Sequence, residues 1–217
     1  MKSLGKWFRS SLSDKESVTE MRQQCDDWMK AVDKSGLPGK YKAWIYQHGM
    51  LPRLLWPLLV YDVPISTVEA IERALSGYIR RWLGVPRSFS SIGLYSSGSK
   101  LQLPLSSVTE EFKVTKARQV MMLRDSSDEK VSGAQVEVNT GRKWRADKAV
   151  SDAEARLKHN DIVGTTTMDR LWLGCVTIAS WKSAALAERR KMVQQEVRSS
   201  KEADKRPQYQ RRSRAVG

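Results

Sequence analysis

Residues 66–86 read STVEAIERALSGYIRRWLGVP, and their spacing predicts an amphipathic helix. Val68, Ile71, Leu75, Tyr78, Ile79 and Trp82 recur at steps of three and four, which lines them along one face. Ser66 with Glu69 fits the Ser-x-x-Glu capping box, and Gly84 followed by Pro86 is a stop signal. Arg73, Arg80 and Arg81 fall away from most of the stripe. A basic pair at a helix end complements the negative end of the helix dipole and faces water, and the same residue types can also contact a phosphate.

The segments on either side extend this into a mainly α chain. Upstream, Ser13 with Glu16 and Ser17 with Glu20 are two more capping boxes, followed by Val18, Met21, Cys25, Trp28 and Val32 on one face. Gly36-Leu37-Pro38-Gly39 stops that helix. Residues 40–61, KYKAWIYQHGMLPRLLWPLLVY, are the most apolar segment and read as a buried helix, or as two short ones bent at Pro52 and Pro57. Downstream, Phe89 to Tyr95 and Lys100 to Leu103 read as short strands or extended coil. Ser107 with Glu110 opens a helix to about Arg124, anchored by Val108, Phe112, Val120 and Met121. Asp125-Ser126-Ser127-Asp128 breaks it, and residues 132–143 read as a loop. A helix is expected from Arg145 to Lys158, residues 164–181 follow no single pattern, and a polar helix runs from Ala184 to about Ser200. The organisation expected is a strand-turn over 1–12, a helical domain over 13–131, linker helices over 132–200 and a basic tail over 201–217 with no fixed structure alone.

The formal net charge of +14, from 38 basic and 24 acidic residues, concerns partners more than fold, and it favours polyanions. Residues 182–217 hold eleven Lys and Arg against four acids, so they carry half of it. In the tail, Arg211, Arg212 and Arg214 are candidates for sequence-independent phosphate contact. Lys113, Lys116 and Arg118 fall on or near one polar face of the 107–124 helix and are candidates of the same kind.

Several classes are disfavoured. No apolar run approaches the ~20 residues of a membrane span; the richest, Leu51 to Val60, contains Arg53 and two prolines. The N-terminus lacks the apolar core of a secretory signal, so an intracellular protein, nuclear or cytoplasmic, is expected. Cys25 and Cys175 match no metal-ligand spacing, His48 and His159 are isolated, and no metal or other cofactor is expected. Ser-Ser-Gly-Ser-Lys at 96–100 is not a phosphate-cradling P-loop. Eight tryptophans are many for 217 residues, and most fall at helical spacings that suggest core.

The order of these segments resembles the end of a non-LTR (LINE-type) retrotransposon reverse transcriptase. Leu4-Gly5 with Trp7-Phe8 looks like the strand-turn at the palm edge that supports the primer end. The stretch GLPGKYKAWIYQHGMLPRLLWPLLVYDVPISTVEAIE looks like the first helices of the polymerase thumb. IRRWLGVPRSFSSIGLYSSGSKLQLPLSSVTEEFKVTKAR looks like the last thumb helix, its Trp-Leu-x-x-Pro stop and the lead into the next helices. ERRKMVQQEVRSS and the closing RAVG look like the continuation, and the match is closer over 1–131 than over 132–181.

The resemblance implies a thumb-like helical bundle with a short strand or loop insertion, gripping an RNA–DNA hybrid or duplex by its phosphates. It places Leu4 and Gly5 at a primer grip, and Arg80, Arg81, Arg87 and Lys100 along a phosphate track. A polymerase of this family has palm aspartates that hold divalent metal, whereas the acidic pairs here are Asp26-Asp27 and Glu110-Glu111, neither in that context. Met1 falls where the resemblance places the middle of a longer protein, and Gly217 before its end. The expected function is thus a catalytically inactive thumb-and-linker fragment. Two other readings stand beside it: a remnant of a decayed element without function, and a basic, non-enzymatic interaction module adopted by a host.

Overall fold

The structure, a computed structural model, describes residues 2–3, 6–7, 14–95, 105–134, 136–163 and 181–198. It is mainly helical. Two short strands, β1 (Lys2–Ser3) and β2 (Lys6–Trp7), pair antiparallel with Lys2 opposite Trp7. The helices are α1 (Lys15–Lys34), α2 (Gly39–Ile45), α3 (Leu51–Val60), α4 (Ile65–Trp82), α5 (Ser91–Tyr95), α6 (Val108–Arg124), α7 (Glu129–Gly133), α8 (Ala146–Val163) and α9 over 186–198. A single π-helical turn, Tyr46–Met50, joins α2 to α3. No described helix is long and apolar enough to cross a membrane.

The chain divides into two compact units, Met1–Thr115 with Asn139–Arg145, and Lys116–Val138 with Ala146–Gly217. The division falls inside α6 rather than after residue 131. Asn139–Arg145, expected to be loop and linker, belongs to the first unit for identifiable reasons. Ile65 N–H donates to the Thr140 carbonyl at 3.0 Å, Lys143 pairs with Glu69, and Trp144 lies 6.4 Å from Phe112 between ring centroids.

In the first unit α1 buries Met21, Cys25 and Met29, with Val18, Trp28 and Val32 packed beside them. The α4 stripe is inside as its spacing requires: Val68, Ile71, Leu75 and Ile79 are buried, and Tyr78 and Trp82 are partly so. The Ser66 cap is not used, because the helix starts one residue earlier at Ile65, directly after Pro64. Ser17 likewise lies buried within α1, which is preceded by Asp14; Ser13 is outside the described residues. Ser107 does cap α6, its hydroxyl accepting from Glu110 N–H at 3.3 Å. The acid completing this cap comes from another helix. Glu72 accepts from the Ser107 hydroxyl and, at 2.8 Å, from Thr109 N–H, a favourable place for a negative charge at a helix N-terminus.

The run from Gly39 to Val60 is helical throughout, with a π turn between α2 and α3. Leu51 N–H reaches five residues back to the Tyr46 carbonyl, which makes the π turn. Pro52 falls in the first turn of α3, directly after the π turn, and Pro57 is carried inside α3. The turn puts Tyr46, 0% exposed, against the entry to α6, where its hydroxyl donates to the Ser106 carbonyl at 2.8 Å. Gln47 holds the same residue through Ser106 N–H at 2.8 Å and Ser106 Oγ at 3.2 Å.

Phe89 to Tyr95 is not a strand. Ser90 caps a turn of helix, its carbonyl accepting from Leu94 N–H at 3.1 Å and its hydroxyl from Gly93 N–H at 3.0 Å. The Lys100 to Leu103 segment lies outside the described residues. α7 occupies part of the expected loop; Asp128 initiates it by accepting from Lys130 N–H at 2.9 Å.

The second unit buries Met121, Val150, Ala153, Trp181, Val193 and Val197. Arg124 bridges Asp125 and Glu154 at 2.8 Å each, and Arg156 meets Glu196 at 2.7 Å. The Asp161 carboxylate accepts from the N–H groups of Trp181 and Lys182 at 3.0 and 3.1 Å. Arg189 and Arg190, part of the basic run, are engaged there too: Arg189 with the Trp181 and Lys182 carbonyls, Arg190 with Asp125.

Burial pushes the Cys25 thiol up to about 11, with Asp26 adding to the effect, and burial also raises Tyr46 and Tyr95. Each of these groups holds its proton more tightly folded than unfolded, so above the unfolded values the unfolded chain binds fewer protons and stability falls. The thiol contribution is fully present below pH 9 and is lost as pH rises toward about 11. It amounts to ~2–3 kcal/mol. Urea midpoints between pH 8 and pH 11 should therefore decline, and less steeply in Cys25→Ala; equal slopes would contradict this account.

Candidate functional site

The C-terminal end of α4 and the turn after it form a groove of about 670 Å³ in the first unit. It is lined by Ala74, Gly77, Tyr78, Val85 and Pro86 together with Arg80, Arg81 and Arg87. The turn exists because Gly84 adopts φ +66°, a left-handed conformation suited to glycine. Val85 N–H then donates to the Arg80 carbonyl at 3.0 Å and Gly84 N–H to the Arg81 carbonyl at 3.2 Å. This is a Schellman ending. It reverses the chain so that Arg87 comes back beside the last turn of the helix that carries Arg80 and Arg81.

The three guanidinium groups have different surroundings. Arg80 is half-buried, donating through Nε to the Phe89 carbonyl at 2.9 Å and through Nη2 to Ser91 Oγ at 3.1 Å; it holds the α5 turn in place. Arg81 lies 4.9 Å from the Tyr78 ring centroid and bonds Asp33 Oδ2 at 2.7 Å, yet its side chain is 61% exposed. Asp33 also accepts from Trp82 Nε1 at 2.8 Å, which fixes Trp82 as a structural residue. Arg87 is exposed and makes no hydrogen bond or ion pair among the described residues. A groove lined by small residues and three arginines can take a phosphate group; Arg presents a planar donor fork suited to it.

The other candidates are not gathered here. Lys113 is half-exposed, its Nζ 5.5 Å from the Trp144 ring centroid. Lys116 is 2% exposed and so does not share a polar face with its neighbours: in α6 it falls one position before the buried Ala117, on the inner side. Arg118 is exposed. Leu4, Gly5, Lys100, Arg211, Arg212 and Arg214 lie outside the described residues.

Two signals went unread in the sequence. Tyr78, assigned to the core stripe, also lines the groove and carries Arg81 on its ring. The segment 40–61 is not wholly buried: Tyr41 is 51% exposed, and Trp44 and Trp56 are each 54% exposed. Among the described residues, no group of three or more His, Cys, Asp or Glu converges as metal ligands would. Compared with protein-family models, curated proteins and solved structures, the chain has no significant match.

Proposed function

We propose that this chain is the thumb and following linker of a LINE-type reverse transcriptase, holding a nucleic-acid duplex by its phosphates without polymerase activity of its own. The observation that carries the reading is the groove at the end of α4, where the Trp-Leu-x-x-Pro stop turns Arg87 back beside Arg80 and Arg81. Those residues belong to the stretch with the family resemblance, and a turn that gathers three cations is what a phosphate grip requires.

Arg81 and Arg87 are the residues to replace, since Arg80 also holds the turn itself. Arg81→Ala with Arg87→Ala is expected to weaken binding of an RNA–DNA hybrid about tenfold at moderate salt, as two phosphate contacts are lost. Fluorescence anisotropy with a labelled hybrid reads this. Unchanged affinity would refute the groove as the grip. Metal-dependent product from an RNA-templated primer, scaling with the amount of chain, would refute the absence of polymerase activity.

A further inference from the structure

The run from Gly39 to Val60 presents two rows of side chains, and one of them has no partner within the described fold. Ala43, Tyr46, Met50, Leu54 and Leu58 are buried. Two positions before each stand Tyr41, Trp44, His48, Pro52 and Trp56, all exposed. At about 100° per residue a step of two turns a side chain ~200° around the axis, so this second row faces away from the core.

Its chemistry is specific. The aliphatic side chains Leu51, Leu54 and Leu58 are inside, and what is shown to solvent is aromatic. The Trp44 and His48 rings lie 5.0 Å apart between centroids, and Lys40 Nζ stands 5.0 Å from the Tyr41 ring centroid. No acidic residue occurs between Asp33 and Asp62, while Lys34, Lys40, Lys42 and Arg53 all do. Lys42 is turned back onto the Asp33 carbonyl at 2.8 Å, but Lys40 and Arg53 are exposed. Protein interfaces also use Trp, Tyr and Arg as anchors; the run of cations without an acid is what favours a polyanion here. Aromatic faces interleaved with cations match stacked bases and the phosphates that link them.

We propose that this row is a platform for single-stranded nucleic acid, with bases stacking on Tyr41, Trp44 and Trp56 and phosphates meeting Lys40 and Arg53. From Tyr41 to Trp56 the row is ~22 Å long, enough for several nucleotides. The proposal stands apart from the arginine groove, which grips a duplex, and each can fail alone.

The test uses the full chain, a fluorescein-labelled oligo(dT) and a blunt duplex of equal length. Tyr41→Ala and Trp44→Ala remove exposed rings, and far-UV circular dichroism checks that the fold is kept. Oligo(dT) affinity is expected to fall about tenfold for each ring, and Trp44→Phe to restore most of it. Duplex affinity stays within about twofold, because stacking needs unpaired bases. An equal loss on both probes, no loss on oligo(dT), or a row that instead mediates self-association, seen as a dimer lost in Trp44→Ala with oligo(dT) binding intact, would each overturn the proposal. Failure of the duplex grip is read separately, through Arg81→Ala with Arg87→Ala.

Discussion

Gly39→Ala is expected to destabilise the first unit by ~3 kcal/mol, at or above the upper end of what an added methyl usually costs. α2 begins at Gly39 and its backbone lies directly on the end of α4. A Cβ at residue 39 would stand 1.7 Å from the Trp82 carbonyl oxygen, 2.6 Å from its carbonyl carbon and 3.3 Å from its Cα. All three are backbone atoms, so no side chain can swing aside; the helices must separate. Trp82 is also fixed through Nε1 to Asp33, which resists that movement. The turn that would shift is the one carrying Arg80 and Arg81, so hybrid binding should weaken with stability. Gly77→Ala is the control. A Cβ there meets nothing within 4 Å, and Gly77 is mid-helix, so the same substitution is expected to stabilise by ~0.5–1 kcal/mol. Urea unfolding of the two variants gives opposite signs if the packing is as described, and a wild-type midpoint for Gly39→Ala would contradict it.

Tyr46→Ala is the second large effect. The ring is fully buried in the core of the first unit, and truncating a buried aromatic costs ~3–5 kcal/mol. Its hydroxyl adds a separate contribution by donating to the Ser106 carbonyl. Tyr46→Phe keeps the packing and leaves that carbonyl without its donor, for which ~1–3 kcal/mol is expected. The loss is limited because Gln47 still clasps Ser106 through two bonds. Denaturant unfolding of both variants separates packing from the hydrogen bond. A Tyr46→Ala chain as stable as Tyr46→Phe would show that the ring does not fill the core.

The legibility of the fold varied with how local its causes are. α4 was readable to within a residue or two because its stripe, its glycine stop and its proline all act within the segment. The misplaced start shows the limit: Ser66 and Glu69 have the right spacing, but Pro64 already supplies a favourable entry and Ser66 is drawn inside. α5 was unreadable because much of its support, the Arg80 guanidinium on Phe89 and Ser91, comes from another helix. The α6 cap was half legible. Ser107 is where the pattern puts it, whereas its carboxylate partner, Glu72, lies 35 residues away. The π turn had a visible occasion in Pro52, but proline alone does not specify whether a helix kinks, breaks or inserts a residue.

The candidate site was legible in part for the same reason. Arg80, Arg81 and Arg87 are close in sequence and joined by a glycine turn, so the chain itself brings them together. The exposed aromatic row was misjudged because periodicity cannot say which of two apolar stripes on one helix faces inward. Tyr41, Trp44, His48, Pro52 and Trp56 repeat at the same steps as Ala43, Tyr46, Met50, Leu54 and Leu58. The absence of acids between Asp33 and Asp62 was the unused clue, since a solvated helix face usually mixes both signs of charge.

The most direct test of the central claim is the salt dependence of RNA–DNA hybrid binding, measured for the wild-type chain and for Arg81→Ala with Arg87→Ala. Each phosphate neutralised contributes roughly 0.7–0.9 to the slope of log affinity against log salt. A groove that grips phosphates predicts a slope shallower by about 1.4–1.8 in the double variant, with the fold unchanged by circular dichroism. Identical slopes, with affinity lost only when residues 201–217 are removed, would place all binding in the basic tail and contradict the thumb reading.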